Sequence, residues 1–484
     1  MLFSSITFLY YFLPLMMALY FASDFIERLL LGRILRPVQR WTPGKIKNIV
    51  LLLGSLIFYA WGEPRYVILM VVSILAGWFF GLLLEKYRGK GAGRLVCVLS
   101  VGISLSFLLY FKYGNFFLEN LGAVTGQELP LIQAALPVGI SFYTFQIISY
   151  TLDVYRGERA ERSLINLAAY ITMFPQLIAG PIVRYARIAG RLEKRGHSWE
   201  EASEGIRRFV IGLAKKILLA NQLGELCGVF RASSDKSVLF YWLYATALIL
   251  QIYFDFSGYS DMAIGLGRVL GFHFPENFNY PYISASITEF WRRWHITLGS
   301  WFRDYVYIPM GGNRVGKGRW LFNIFVVWML TGFWHGAAWN FIIWGLYFAV
   351  LLMAEKLWLL KYLKKSRVLS RIYVLFLVTV SFVVFNGESM GQALSDIGGL
   401  FGAGGIPLVS NEAVYYAKSF AVTLAAAIAG ATPAVRRLFE RAVKRPAGRK
   451  LLNAAEPALL LALSVIMTAY LVDGSFNPFL YFRF

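Results

Sequence analysis

Trp328–Trp344 reads WMLTGFWHGAAWNFIIW, an apolar run whose one ionisable residue is His335. Trp334 and Gly336 flank it, and Trp339 and Asn340 follow. A titratable group is costly to hold in a hydrophobic run, so it either finds a polar partner on a neighbouring helix or takes part in function. A helix entering from Trp320 rises about 22 Å over fifteen residues, while the midplane of a hydrocarbon core lies about 15 Å from either edge. His335 is therefore expected past the midplane, nearer the outer face. An imidazole can take or give a proton there because its unperturbed pKa, about 6.5, lets it exist neutral, which suits a general base.

The rest of the chain has the same apolar character. Of its 484 residues, 58% are hydrophobic, 17% aromatic and 15% charged, against roughly 25% charged in a soluble domain. Runs of about 20 apolar residues recur from end to end, which defines an all-α, polytopic membrane helical bundle. No signal peptide with a cleavage site is read, and Ser5–Phe21 is long enough to be a first span. The formal charge of +21 is not gathered in one patch, so nucleic acid is not an expected partner. Lys and Arg fall in short blocks between apolar runs, as the positive-inside rule places them. Cys97 and Cys227 suit neither a disulfide framework nor a thiolate metal site. His197, His273, His295 and His335 show no HxxxH or HExxH spacing, so no catalytic metal is expected.

The basic blocks set the expected topology. They are Arg28–Lys47, Lys86–Arg94, Arg156–Arg208, Lys356–Arg371 and Arg436–Lys450, and placing all of them in the cytoplasm puts both termini outside after about 11–12 crossings. One integral domain over 1–484 is expected: N-terminal spans in 1–160, a core in 161–350, further spans in 351–472 and an outer aromatic tail in 473–484. Asn166–Ile188 is apolar but interrupted by Pro175, Gly180 and Pro181. Broken backbone is tolerated at membrane depth only inside protein or along a wet cavity, so this segment reads as re-entrant and lining a site. Asp255–Arg319 reads as too polar to span and is expected to form amphipathic helices at or below the cytoplasmic face.

Within that segment His295 sits in FWRRWHITL, with Arg292, Arg293 and Arg303 nearby. Helical spacing predicts Arg292 and His295 on one face, in a different layer from His335. The arginines and Trp291 and Trp294 either anchor an interfacial helix to membrane lipid phosphates or meet an anionic cytoplasmic donor. Asp255 and Asp261 are expected to pair with buried arginines or to orient a histidine. Arg184 reads as lining the passage or marking the cytoplasmic edge, and His197 and His273 as ordinary. The chain ends in NPFLYFRF, Asn477–Phe484, either an interfacial anchor or a carrier. Tyr481 gives the second reading, because an aryl ester is energised and passes its acyl group on to an ordinary hydroxyl. Nine residues from Val472 to Tyr481 span up to about 30 Å, so the tail can reach back towards His335.

Five stretches resemble a known family. They are LPVGISFYTFQIISYTLDVYRGE (136–158), FPQLIAGPIVR (174–184), RFVIGLAKKILLAN (208–221), QIYFDFSGYSDMAIGLGRVLGFHFPENFNYPYISASITEFWRRWHITLGSWFRDYVYIPMGGNR (251–314) and LTGFWHGAAWNFIIWG (330–345). They resemble the membrane-bound O-acyltransferases, within them the alginate O-acetylation branch, over most of the first 350 residues. The remainder is similar mainly in hydropathy and in its aromatic end.

The resemblance implies a membrane bundle with re-entrant and interfacial helices around a central tunnel or funnel. It implies that His335 is the catalytic intramembrane histidine and His295 a second essential one. It implies acetyl-CoA as cytoplasmic donor, with Arg292, Arg293 and Arg303 near its phosphates. The expected recipient is an extracytoplasmic SGNH-type partner that acetylates a secreted or wall polysaccharide. Phe479, Tyr481 and Phe484 reproduce an F-x-Y-x-x-F pattern that related teichoic-acid D-alanylation systems carry on a small partner peptide, which makes Tyr481 a candidate acyl carrier. Two other readings compete: D-alanyl or other acyl transfer to an envelope polymer, and a transporter or flippase, for which broken helices and a buried histidine are equally natural.

Overall fold

A backbone that cannot hydrogen-bond to lipid must satisfy itself, and it does so here as helices. The computed structural model describes residues 1–33 and 44–473, and no strand occurs among them. Among the described residues seven helices are long and apolar enough to cross a membrane: Thr7–Glu27, Val67–Lys86, Gly91–Thr125, Val238–Val269, Trp339–Leu363, Arg367–Asn386 and Pro446–Val472. The pair Asn411–Ser419 and Ala421–Gly430, bent by 59°, makes an eighth if it is one span. That is fewer than the 11–12 crossings expected from charge blocks. Helices such as Ile140–Arg156 carry Gln146, Thr144 and Thr151 and are buried without a break from Ile140 to Thr151. Their surroundings are protein, so they need neither the apolarity nor the length of a lipid-facing span.

The chain divides into two compact units, Met1–Phe209 with Met262–Pro275, and Val210–Asp261 with Glu276–Phe484. In the first, the segment interrupted by prolines and glycine is broken as expected, into Leu164–Thr172, Phe174–Leu177 and Tyr185–Glu193. Every residue from Asn166 to Val183 is buried. Its loose backbone groups are met by side chains. Phe174 N–H donates to Ser55 Oγ at 3.1 Å, Gln176 Nε2 donates to the Tyr170 carbonyl at 2.6 Å, and Tyr170 Oη donates to the Val183 carbonyl at 2.8 Å. A cleft of about 800 Å³ in this unit, lined by Glu85, Tyr150, Asp153, Glu161 and Glu193 among others, contains none of the predicted site residues.

The second unit corrects the reading of Asp255–Arg319. Asp255 and Asp261 lie within one long helix, Val238–Val269, because lysines rather than arginines neutralise them. Lys216 Nζ lies 2.5 Å from Asp255, with the two side chains 5% and 2% exposed; Lys215 Nζ lies 2.6 Å from Asp261. Both lysines sit on a π-helical turn, Lys215–Asn221, and the facing helix comes close enough that a Cβ on Gly258 would stand 2.7 Å from the Gly212 carbonyl. After this helix the chain forms two short helices, Ile287–Arg293 and Ile296–Phe302.

The first short helix is held by an anion from a distant element. Glu355 is fully buried and accepts from Ile287 N–H at 2.6 Å, Thr288 N–H at 2.9 Å and Thr288 Oγ1 at 2.7 Å. It thereby satisfies backbone donors that a helix start leaves open. Hydrogen bonds to a charged group contribute about 1.5–3 kcal/mol and neutral ones about half that. Glutamine keeps one accepting oxygen and turns an NH2 donor on Ile287 N–H or Thr288 N–H. Glu355→Gln is therefore expected to destabilise by about 1–3 kcal/mol and Glu355→Ala by more, seen as stepwise lower melting temperatures of the purified protein.

Candidate active site

His335 is the last residue of Lys317–His335, and a link of three residues, Gly336–Ala338, turns the chain into Trp339–Ala354. The two helices cross backbone to backbone. A Cβ on Gly332 would lie 2.4 Å from the Phe341 carbonyl, and one on Gly345 2.4 Å from the Trp328 carbonyl. Gly336 is equally constrained, since a Cβ there would meet the Phe341 ring at 2.2 Å. The sequence GFWHGAAWN thus builds a tight hairpin, and glycine at these positions lets it close.

Inside the hairpin the His335 side chain is 5% exposed. Its ring centroid lies 5.0 Å from Trp334, 5.0 Å from Trp344 and 5.5 Å from Phe385. Asn340 Nδ2 donates to the Gly387 carbonyl at 3.0 Å, tying the hairpin to the end of Arg367–Asn386 that carries Phe385. His335 Nδ1 sits 2.7 Å from the Thr331 carbonyl. A carbonyl only accepts, so Nδ1 carries the hydrogen and the lone pair of the neutral ring lies on Nε2.

His295 is brought into the same cluster rather than into a separate layer. Its ring lies 6.0 Å from Trp334 and 4.7 Å from Phe256, and it is within electrostatic reach of His335. Its backbone is left-handed, φ 43° and ψ 53°, an uncommon state for a residue with a Cβ and one that gathers at functional sites. Asn277 holds it. His295 Nδ1 donates to Asn277 Oδ1 at 3.1 Å, and Thr297 donates to the same oxygen from its N–H at 3.3 Å and its hydroxyl at 2.9 Å. A backbone N–H only donates, so that atom of Asn277 is the oxygen, and Nδ2 turns to Ser260 Oγ at 3.0 Å. The tautomer is again Nδ1–H. His295 Nε2 is buried with no hydrogen-bond partner among the described residues. His295 lies outside the seven spanning helices; burial first, and the neighbouring His335 second, push its pKa well below the ordinary histidine value. The ring is neutral.

The predicted arginines are placed differently. The helix ends at Arg293, with Trp294 extended and His295 starting a second helix. Helical spacing therefore does not carry from Arg292 to His295, and Arg292 is exposed while His295 is buried. Arg293 is tied to Glu289 at 2.9 Å and to the Asn279 carbonyl at 3.1 Å, and Arg303 to Asp304 at 2.6 Å. Tyr481 lies outside the described residues. Sequence reading missed Asn277 and Glu355; neither stands in a periodic pattern, and the partners of each come from distant segments.

Two buried imidazoles thus share one aromatic enclosure at the end of the hairpin, each with Nδ1 held against an oxygen acceptor. Residues 98–386 match the membrane-bound O-acyltransferase family. The chain is 38% identical to the probable alginate O-acetylase of Pseudomonas putida over the full length of both. It is 32% identical to the peptidoglycan O-acetyltransferase of Helicobacter pylori over 75% of this chain and 76% of that one, and 32% identical to the teichoic acid D-alanyltransferase of Bacillus subtilis over 76% and 98%. The chain belongs to the membrane-bound O-acyltransferase family and is a multi-pass membrane acyltransferase.

Proposed function

We propose that the chain is an O-acetyltransferase of the bacterial cytoplasmic membrane, both termini outside, that moves acetyl from cytoplasmic acetyl-CoA towards a secreted or wall polysaccharide. The observation that carries this reading is the paired tautomer assignment, which puts both Nε2 lone pairs in one buried aromatic cluster. His335 Nε2 takes the proton of an attacking hydroxyl as its oxygen bonds to the thioester carbonyl carbon. The C–S bond then breaks, and the imidazolium returns the proton to the departing thiolate. His295, with only an acceptor to offer, cannot donate to the developing oxyanion as a neutral ring. It instead accepts from an N–H of the donor's arm and orients the thioester. Arg292, Arg293 and Arg303 stand near the donor's phosphates, for which Arg293 and Arg303 would first exchange their carboxylate partners. The acetyl then passes to a serine of an SGNH-type partner outside, which acetylates the polymer. The alginate and peptidoglycan O-acetylating relatives support the acetyl and polymer assignments; the D-alanyltransferase relative keeps D-alanyl transfer as the second reading.

Purified protein and radiolabelled acetyl-CoA test the reading. Covalent label on protein or acceptor is the expected result, whereas label carried across a vesicle membrane without covalent transfer would make the chain a transporter. Tyr481 enters as the attacking hydroxyl in a relay on the chain's own tail. Tyr481→Phe is then expected to abolish label on the protein and polymer acetylation together. Polymer acetylation at the wild-type level in that variant would reduce the scheme to direct transfer to the partner.

A further inference from the structure

The helix Ala434–Lys444, AVRRLFERAVK, buries none of its residues. At 100° per residue its side chains separate into two faces. Val435, Leu438, Phe439 and Ala442 share one, and Arg436, Arg437, Glu440, Arg441 and Lys444 share the other. Val435, Leu438 and Phe439 are 55%, 64% and 47% exposed. An apolar face of this kind needs a cover, and the flanking chain indicates which. One residue, Arg445, separates the helix from Pro446–Val472, a helix long and apolar enough to span, of whose residues Met467 is buried. Upstream, the apolar helix Ala421–Gly430 ends four residues before it. Both ends thus adjoin apolar helices, and the turn into the last one is tight, since a Cβ on Gly448 would stand 2.3 Å from the Ala442 carbonyl. The opposite face is strongly cationic. Arg437, Arg441, Lys444, Arg445, Arg449 and Lys450 follow one another with a single carboxylate among them, Glu440, and that one is spent on Arg436 at 2.8 Å.

We propose that Ala434–Lys444 is an interfacial helix that lies in the headgroup region of the cytoplasmic leaflet and binds anionic phospholipid. Val435, Leu438 and Phe439 enter the acyl boundary, while Arg437, Arg441 and Lys444 meet lipid phosphates. The apolar face supplies attachment and the basic face supplies the preference for negative lipid.

The test uses the full chain in vesicles of phosphatidylcholine with or without phosphatidylglycerol. Cysteines introduced singly from Val435 to Lys444 carry a nitroxide; native Cys97 and Cys227 are buried. Labels at 435, 438 and 439 are expected to collide with oxygen, and labels at 437, 440 and 444 with a water-soluble nickel complex, alternating with the helical repeat. In native mass spectrometry the triple variant Arg437→Gln, Arg441→Gln, Lys444→Gln is expected to lose phosphatidylglycerol preference by about a hundredfold, with the melting temperature unchanged. Nickel access at both faces would lift the helix into water. Exclusion of both reagents from the apolar face would cover it with protein, an acidic partner or a second copy. Either result, or a triple variant that keeps its lipid preference, overturns the proposal.

Discussion

Replacing His335 by glutamine is expected to lower acyl transfer by about 10²–10⁴-fold, the contribution of a positioned general base, which is the role proposed for it. Glutamine is the decisive replacement. It has nearly the reach of imidazole, and its amide can still donate to the Thr331 carbonyl, the partner that His335 holds at 2.7 Å. It should therefore keep the hairpin closed between Trp334, Trp344 and Phe385. It cannot take a proton. Alanine removes the ring as well, and the aromatic enclosure would then sag into the space, so a loss in His335→Ala alone mixes chemistry with packing. The measurement is the initial rate with radiolabelled acetyl-CoA beside donor affinity and melting temperature. The rate is expected to fall while affinity and stability hold. A glutamine variant within tenfold of the wild-type rate would show that proton acceptance at this position is not the source of catalysis.

The burial of His335 was legible because it is chemically alone, the one ionisable residue in an apolar run. The broken segment was legible for a similar reason, since Pro175, Gly180 and Pro181 interrupt an apolar stretch and only buried backbone tolerates that. The neighbourhood of His295 was not. Nothing in FWRRWHITL announces that the helix stops at Arg293, because no glycine or proline stands there. The break comes from Asn277, whose backbone carbonyl takes Ile296 N–H at 2.9 Å and whose side chain takes Thr297. Spacing along one helix, which put Arg292 beside His295, assumes a continuity that this distant contact removes. Asp255 and Asp261 were expected to pair with buried arginines or to orient a histidine; their partners are Lys216 and Lys215, from a helix that ends before the long one begins. Glu355 stands at the head of the basic block Lys356–Arg371, and nothing local in the sequence ties it to Ile287 and Thr288. Pairing across sequence distance decides these positions, and local pattern does not encode it.

Asn277→Ala and Asn277→Asp separate the second histidine's role from its mere presence. Asn277 Oδ1 accepts from three groups, His295 Nδ1 and the N–H and hydroxyl of Thr297. Alanine strands buried donors at about 1–3 kcal/mol each and frees the His295 ring to carry its hydrogen on either nitrogen. Activity is expected to drop roughly 10- to 100-fold, the range seen when the partner that orients a ligating histidine is lost, and the loss should be the same at every pH. Aspartate behaves otherwise. Its carboxylate still accepts all three bonds, and the Ser260 hydroxyl can turn to donate in place of Nδ2, so the fold is kept. But a carboxylate beside imidazole favours the charged ring, raising a pKa that burial and His335 hold well below the ordinary value. A group whose pKa is raised is protonated below it, so His295 Nε2 in this variant loses its lone pair at low pH and regains it as pH rises through the new pKa. Asn277→Asp is therefore expected to be inactive in acid and to recover towards the wild-type rate in alkali, while the wild-type ring stays neutral throughout. A loss that came only from disturbed packing would give neither variant a pH profile of its own. Identical profiles for Asp and Ala at matched stability would remove Asn277 from the chemistry and leave it as a loop clasp.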